Sequence, residues 1–367
     1  MQIPNWPIAG QRERELLEQV LDSPQWGGFH PLVAEFEQQF AAFQHCAHCI
    51  SAANGTVTLE IGLAACGIGP GDEVIVPAVS FVSTATAVNR VGATPVFVDI
   101  EEYTFNIDPL RADAAITPKT KAIVAVHFGG PLADIDKLLN LTQQAGLLLI
   151  EDAAHAHGSE WNGRRAGSFG AWASFSFQNG KVLTAGEGGA LTTNDARLAA
   201  EFRSLTNQGR RQELHPQGGG HFHHYQLASN YRLTAWQAAV LTAQLERLPD
   251  QIAQRRASEA LLRDSAPNIH WQEVPAAVNV HSNYLLLGRT AGRDELCARL
   301  TAAGVPNTPF YPHALYANPM YTSGAQPCRV TPCPVTEDCL RDAFWLPHRV
   351  LHAEEPALRA VASLLRG

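Results

Sequence analysis

Between Ile50 and about Asp195, short apolar β-branched runs recur with helical patterns between them, and no other feature constrains the fold as strongly. The runs are Glu73–Pro77, Pro95–Ile100, Ala122–His127, Leu147–Glu151, Ala173–Phe177 and Gly189–Thr193. Most are apolar at successive positions, so strands made from them must be covered on both faces. Segments such as Thr56–Cys66 and Ile135–Ala145 carry the helical period that supplies such cover. An α/β architecture with a central, mostly parallel sheet between helical layers meets both demands.

The flanks extend this plan. Arg12–Leu21 and Leu32–Phe43 predict two helices separated by the breaker Pro24–Gly28. Thr234 reads as the N-cap of a long helix running through Trp236, Val240 and Leu245 and past Ile252. Beyond it, a strand at Ser282–Leu287, a helix at Arg293–Ala303 and an amphipathic helix after Pro356 predict a smaller α+β unit. The Pro- and Cys-rich stretch 305–347 reads as a linking loop. Two domains are expected, residues 1–250 with the N-terminal helices and the large sheet, and residues 251–367.

With 367 residues, 46% hydrophobic, the chain has the composition of a globular protein, which excludes disorder and coiled coil. Its net charge of −8 argues against nucleic acid or an anionic membrane as partner. Apolar runs fall short of the ~20 residues a membrane helix needs, and the N-terminus has no signal-like apolar segment, so a cytoplasmic protein is expected. Seven scattered cysteines do not form a disulfide framework. Two stretches hold metal-ligand residue types: His45-Cys46-Ala47-His48-Cys49 and the glycine- and histidine-rich run ending His221-Phe222-His223-His224. The first lacks a second ligand pair and the second offers a mobile loop, so no metal is expected.

Lysine is scarce: Lys119, Lys121, Lys137 and Lys181 are the chain's four. The first three lie in turn or charged helical contexts. Lys181 follows an apolar strand in Ser174-Phe175-Ser176-Phe177-Gln178-Asn179-Gly180-Lys181 and precedes Gly186-Glu187-Gly188-Gly189, a setting that favours a nucleophilic amine. The strand Leu148–Glu151 delivers Asp152 and His155 to the carboxyl end, where α/β proteins bind ligands. A buried aspartate there needs a cationic partner, which a protonated pyridine nitrogen supplies. Asn54-Gly55-Thr56 opens a helix and forms an anion site from free N–H groups. Phe81, after a strand, presents a flat face to a ring. An amine, an acid, an anion site and an aromatic lid are together the requirements of pyridoxal phosphate.

Asn54-Gly55-Thr56, Glu151-Asp152-Ala153-Ala154-His155, Ser174 to Gly189, and Ser229-Asn230-Tyr231-Arg232-Leu233 resemble the motifs of the DegT/DnrJ/EryC1/StrS family of aminotransferases, over nearly the whole length. The resemblance implies fold type I, a Schiff-base lysine at Lys181 that also moves the proton, and a pyridinium partner at Asp152. It further implies stacking by Phe81, phosphate binding by Gly55, Thr56 and Ser176, and a homodimer in which Asn230 reaches the neighbouring subunit's phosphate. His155 stands where many relatives have Gln and is expected at the cofactor's phenolic oxygen. Related sugar dehydratases carry His in place of the lysine, so retention of Lys181 implies transamination, with glutamate or glutamine as donor. Phe175–Lys181, Asp152–Gly158 and Trp345-Leu346-Pro347-His348-Arg349-Val350 are most similar to 3-amino-5-hydroxybenzoate synthases and scyllo-inosose-type cyclitol aminotransferases. A cyclitol or sugar-like ketone in secondary metabolism is therefore expected. The alternatives are dehydration and aromatisation of an aminoshikimate-type ring, and a nucleotide-linked keto-hexose. Trp26, Tyr311, His313 and His348 lie in segments that line the substrate side in relatives. A dinucleotide-dependent dehydrogenase fits less well, because GxGxxG is missing from the first strand–helix turn. A cofactor-binding regulator is disfavoured by the lack of a basic patch.

Overall fold

The computed structural model describes residues 2–211 and 223–366. Helices α1 (Gln11–Asp22) and α2 (Pro31–Phe43) precede strand β1 (His48–Ala52). Helix and strand then alternate: α3 (Gly55–Ala65), β2 (Glu73–Pro77), α4 (Ser83–Arg90), β3 (Thr94–Val98), α5 (Pro109–Ala114), β4 (Thr120–Val126), α6 (Ile135–Ala145) and β5 (Leu148–Asp152). A short pair, β6 (Glu160–Trp161) and β7 (Arg164–Arg165), interrupts the rhythm before β8 (Trp172–Ser176), β9 (Gly189–Thr193) and α7 (Ala196–Thr206).

These strands build an eight-stranded sheet in the order β1-β9-β8-β5-β4-β2-β3, with β14 (Arg329–Val330) on the far edge. From β8 outwards every pairing is parallel, and β9 alone runs against its neighbours. The apolar runs are explained by cover on both faces. In β4, Ala122, Val124 and Val126 join a core with Leu59 of α3 and Val88 of α4, while Ile123 and Ala125 join another with Leu138 of α6. Nearer β8, the second face packs against Phe36 and Phe40 of α2.

The long helix α8 (Ala235–Ser265) starts where Thr234 predicts: Gln237 Oε1 accepts from the Thr234 amide at 2.9 Å, closing a capping box. After it come β10 (His270–Trp271), β11 (Val278–Val280), β12 (Leu285–Arg289), α9 (Arg293–Ala302), β13 (Thr308–Pro309), α10 (Pro319–Thr322), β14 (Arg329–Val330), α11 (Pro334–Asp342), β15 (Ala343–Pro347) and α12 (Glu355–Arg366). An antiparallel sheet, β10-β12-β15-β13, packs with Leu262 of α8, Leu300 of α9 and Val361 of α12 around a separate core.

The segment 305–347 is therefore not a plain linking loop. It holds β13, α10, β14, α11 and the internal strand β15. Pro319 and Pro334, read as breakers, stand at the first turns of α10 and α11, where the missing N–H has no intrahelical partner to lose.

Candidate active site

The parallel strands β2, β4, β5 and β8 end on one side of the sheet, and a cavity of ≈ 610 Å³, a size that suits a small ligand, opens there. Its lining brings together Gly55, Thr56, Phe81, Asp152, His155 and Ser176, and with them Lys181 and Tyr311.

Strand geometry separates the two carboxylates of Glu151-Asp152, since neighbouring side chains point to opposite faces. Asp152 faces the cavity, where Thr84 of α4 donates to it at 2.7 Å and the Ala154 amide at 3.3 Å. Ser80 hydrogen-bonds Thr84 at 2.7 Å, so a hydroxyl relay fixes the carboxylate. Burial raises the Asp152 carboxyl, and the bonds from Thr84 and Ala154 and the nearby Lys181 only partly offset it. Glu151 turns under the sheet. There the amides of Gly167, Phe169 and Gly170 donate at 2.7, 2.9 and 2.9 Å, and His127 Nε2 lies at 3.1 Å. His127 Nδ1 accepts from the Ala133 amide, so Nε2 carries the hydrogen toward Glu151. Burial works to raise the Glu151 carboxyl, but His127 and the glycine amides hold it below the usual range.

His155 Nδ1 accepts from the Gly129 amide at 3.3 Å, and its ring packs 4.2 Å from that of Tyr284 between centroids. Burial, then the charge of Lys181, keeps this imidazole neutral by pushing it well below the ordinary histidine range. Lys181 Nζ sits 4.6 Å from the centroid of the Tyr284 ring. The N-terminus of α3 points its first turn at the cavity. Asn54 Oδ1 accepts from the Val57 amide at 2.9 Å, while Gly55 and Thr56 remain on the lining. Close packing makes Gly55 obligatory: a Cβ there would lie 2.7 Å from that of Ser176.

The other expected residues lie at the cavity's edge or beyond it. Phe81, 60% exposed, stands at the cavity wall, and a smaller pocket of ≈ 150 Å³ holds His313 beside Phe81 and Tyr311. Trp26 is exposed, packs on Trp236 at 5.4 Å, and is not part of the lining. Asn230 bridges to Asn207 and its side chain accepts from the Arg232 amide, away from the lining of this chain's cavity. His348 is buried behind the lysine, its Nε2 3.0 Å from the Gly180 carbonyl oxygen. Gln178, Glu187 and Trp345 line the cavity from within the expected motifs, though without a role assigned to them, and Ser80, Ser83, Thr84 and Tyr284 line it from outside those motifs. The hydroxyls at 80, 83 and 84 directly after a strand were a usable signal; Tyr284 had none.

Cys46 and Cys49 carry no ligand geometry. Burial pushes the Cys46 thiol up to about 12, and it donates to the Gly167 carbonyl at 3.0 Å. Among the described residues no cluster of His, Cys, Asp or Glu is placed to hold a metal ion. The glycine–histidine run up to residue 222 lies outside the described residues.

The donor set fits pyridoxal phosphate. Among the described residues Asp152 has no ion-pair partner, so its buried charge calls for a cationic ring nitrogen, while the first turn of α3 suits a phosphate. Fold and site together define a fold type I pyridoxal-phosphate enzyme. Over residues 7–365 the chain matches the DegT/DnrJ/EryC1/StrS aminotransferase family, and it belongs to that family of pyridoxal-phosphate-dependent aminotransferases. It is 38% identical over 380 residues to the 3-amino-5-hydroxybenzoate synthase of Amycolatopsis mediterranei, covering 99% of this chain and 96% of the other. To an L-glutamine:2-deoxy-scyllo-inosose aminotransferase of Streptomyces kanamyceticus it is 38% identical over 338 residues, covering 87% and 79%. A crystal structure of 3-amino-5-hydroxybenzoic acid synthase superposes with a TM-score of 0.93 at 36% identity, covering 100% of this chain and 98% of that one.

Proposed function

We propose that the enzyme moves an amino group from glutamate or glutamine to the ketone of a cyclitol or sugar-like ring, in amino-sugar or antibiotic-type biosynthesis. The observation that carries this reading is one cavity holding Lys181, the hydroxyl-fixed Asp152 and the first turn of α3. Bound pyridoxal phosphate supplies the electron sink for charge developing at the donor's α-carbon. Lys181 would be the residue to which the cofactor is attached, and its amine would serve as the base that takes the proton from the donor's α-carbon. Asp152 would keep a proton on the ring nitrogen, Gly55, Thr56 and Ser176 would hold the phosphate, and Phe81 would cover the ring. In the first half one water supplies the oxygen with which the donor departs as a 2-oxo acid; in the second half the ring ketone gains the amine and its oxygen leaves as water.

Support for a polyhydroxylated acceptor without a strong negative charge comes from the lining, where Lys181 is set against Asp152 and Glu187, and the neutral His155, Gln178, Tyr284 and Tyr311 offer hydrogen bonds. Likeness to the inosose aminotransferase supports the same class. Likeness to 3-amino-5-hydroxybenzoate synthase over 99% of the chain favours an aminoshikimate-type ring as the second reading. The two-domain division at 250/251 would fall within α8, whose ends serve different cores. We further place the enzyme in the cytoplasm, as a homodimer in which Asn230 serves the neighbouring site. No described helix is long and apolar enough to cross a membrane.

Borohydride reduction of the cofactor-loaded protein followed by peptide mapping tests the assignment. The cofactor should be fixed on the peptide containing Lys181 and absent from K181A; attachment elsewhere would overturn it.

A further inference from the structure

Lys181 is gripped from the side away from the cavity. The Trp6 indole N–H donates to the Lys181 carbonyl at 3.1 Å, and His348 Nε2 lies 3.0 Å from the carbonyl of Gly180. A carbonyl only accepts, so His348 carries its hydrogen on Nε2. The three aromatic groups around the lysine also hold one another: Trp6 meets His348 edge-on at 4.5 Å, and His348 stacks on Tyr284 at 5.9 Å. Tyr284 in turn presents its face to the Lys181 amine.

The clamp has its own supports. The segment carrying Trp6 is tied to α8, where Gln244 and Arg247 donate to the Ile8 carbonyl at 2.8 and 2.9 Å. His352 stacks on Trp6 at 5.7 Å and accepts from Arg255, itself fully buried and bonded to the Ser282 carbonyl. Burial, then the charge of Arg255, outweighs the bond to Gly180 and keeps His348 neutral. A neutral ring holds one N–H, and here that hydrogen is committed to the lysine loop.

We propose that Trp6 and His348 are positioning residues for Lys181, anchoring two successive carbonyls so that motion of the amine is confined to the lysine's own side chain. The proposal rests on Lys181 being the attachment point of the cofactor. It assigns His348 a role behind the lysine and not on the substrate side.

The test compares W6F, which keeps a ring but loses the donor, with H348L and with H348Q, which retains an N–H. In the unloaded full-length protein, amine acylation is followed by peptide mapping, with Lys119, Lys121 and Lys137 as standards in the same chain. W6F and H348L should acylate Lys181 about three- to ten-fold faster relative to the standards, the range one lost hydrogen bond allows. In the loaded enzyme both should lower kcat by a similar factor, leave KM nearly unchanged and shift the pH midpoint of the cofactor's visible band. H348Q should stay near wild type in every readout. Lower melting temperatures in W6F and H348L with wild-type acylation, kcat and pH midpoint would overturn the proposal. Failure of the underlying reading shows separately, as borohydride-fixed cofactor in K181A; the acylation measurement still decides whether the two carbonyls are clamped.

Discussion

Asp152 and His157 show how burial assigns different tasks to neighbouring polar groups. Asp152 is desolvated yet reached by Thr84, so a charge is kept available in the cavity. T84V removes a donor to that charge and should weaken cofactor binding by about 1.5–3 kcal/mol, measured by titration of the cofactor's absorbance. D152N should keep the fold and lower kcat by roughly a hundred-fold or more, since it deletes a preorganised charge. His157 lies instead among Phe40, Phe175 and Phe177, and burial, followed by the charge of Lys181, lowers it from 6.5 to about 3. Its folded-state value is below the unfolded one, so the unfolded chain binds the extra proton. Stability is then complete above about pH 6.5 and is lost as pH falls toward 3. Denaturant melts of H157L between pH 7 and about 4 should show a shallower decline than wild type; parallel curves would contradict this.

At the level of elements, the crossing of α3 with β8 and β9 decides whether the anion site exists. Besides Gly55, Gly189 has no room for a side chain: a Cβ there would lie 2.5 Å from the Asn54 carbonyl carbon. G55A should therefore reduce cofactor affinity at least about ten-fold, as the N-terminus of α3 is pushed off the sheet, whereas N54A should cost about 1 kcal/mol of stability through its lost cap. Isothermal titration and thermal melts separate the two. Much of this was legible in advance. The six apolar runs became strands within a residue or two, because a doubly covered parallel sheet leaves continuous apolar segments. Thr234 marked α8, and Gly55, Asp152 and Lys181 marked the cavity. Stretch 305–347 was not legible: β13 and β14 have two residues each, too short for a period, and helix-starting prolines look like breakers. Tyr284 and Trp345 reach the cavity from β12's approach and from β15, through long-range pairing that no local pattern encodes.

Across the whole molecule, α8 and the segment around Trp6 join the large sheet to the smaller unit, and the cavity draws side chains from both. Glu259 secures one end of this join. It pairs with Arg263 at 2.7 Å and with His281 at 3.1 Å, and it accepts from Asn283. Burial would raise its carboxyl, but His281 and Arg263 prevail and bring it to about 2 from 4.5. Here the depressed acid stabilises the fold above about pH 4.5, and that contribution disappears as pH falls toward 2. E259Q should therefore lower stability at pH 7 more than at pH 3, as read by chemical denaturation. The amino-transfer reading itself is tested most directly by following the bound cofactor's absorbance through both half-reactions. Glutamine or glutamate should bleach the band of the loaded enzyme, and a keto-cyclitol of the scyllo-inosose type should then restore it. A band that neither donor bleaches, or that no keto-cyclitol or keto-sugar restores, would contradict the account.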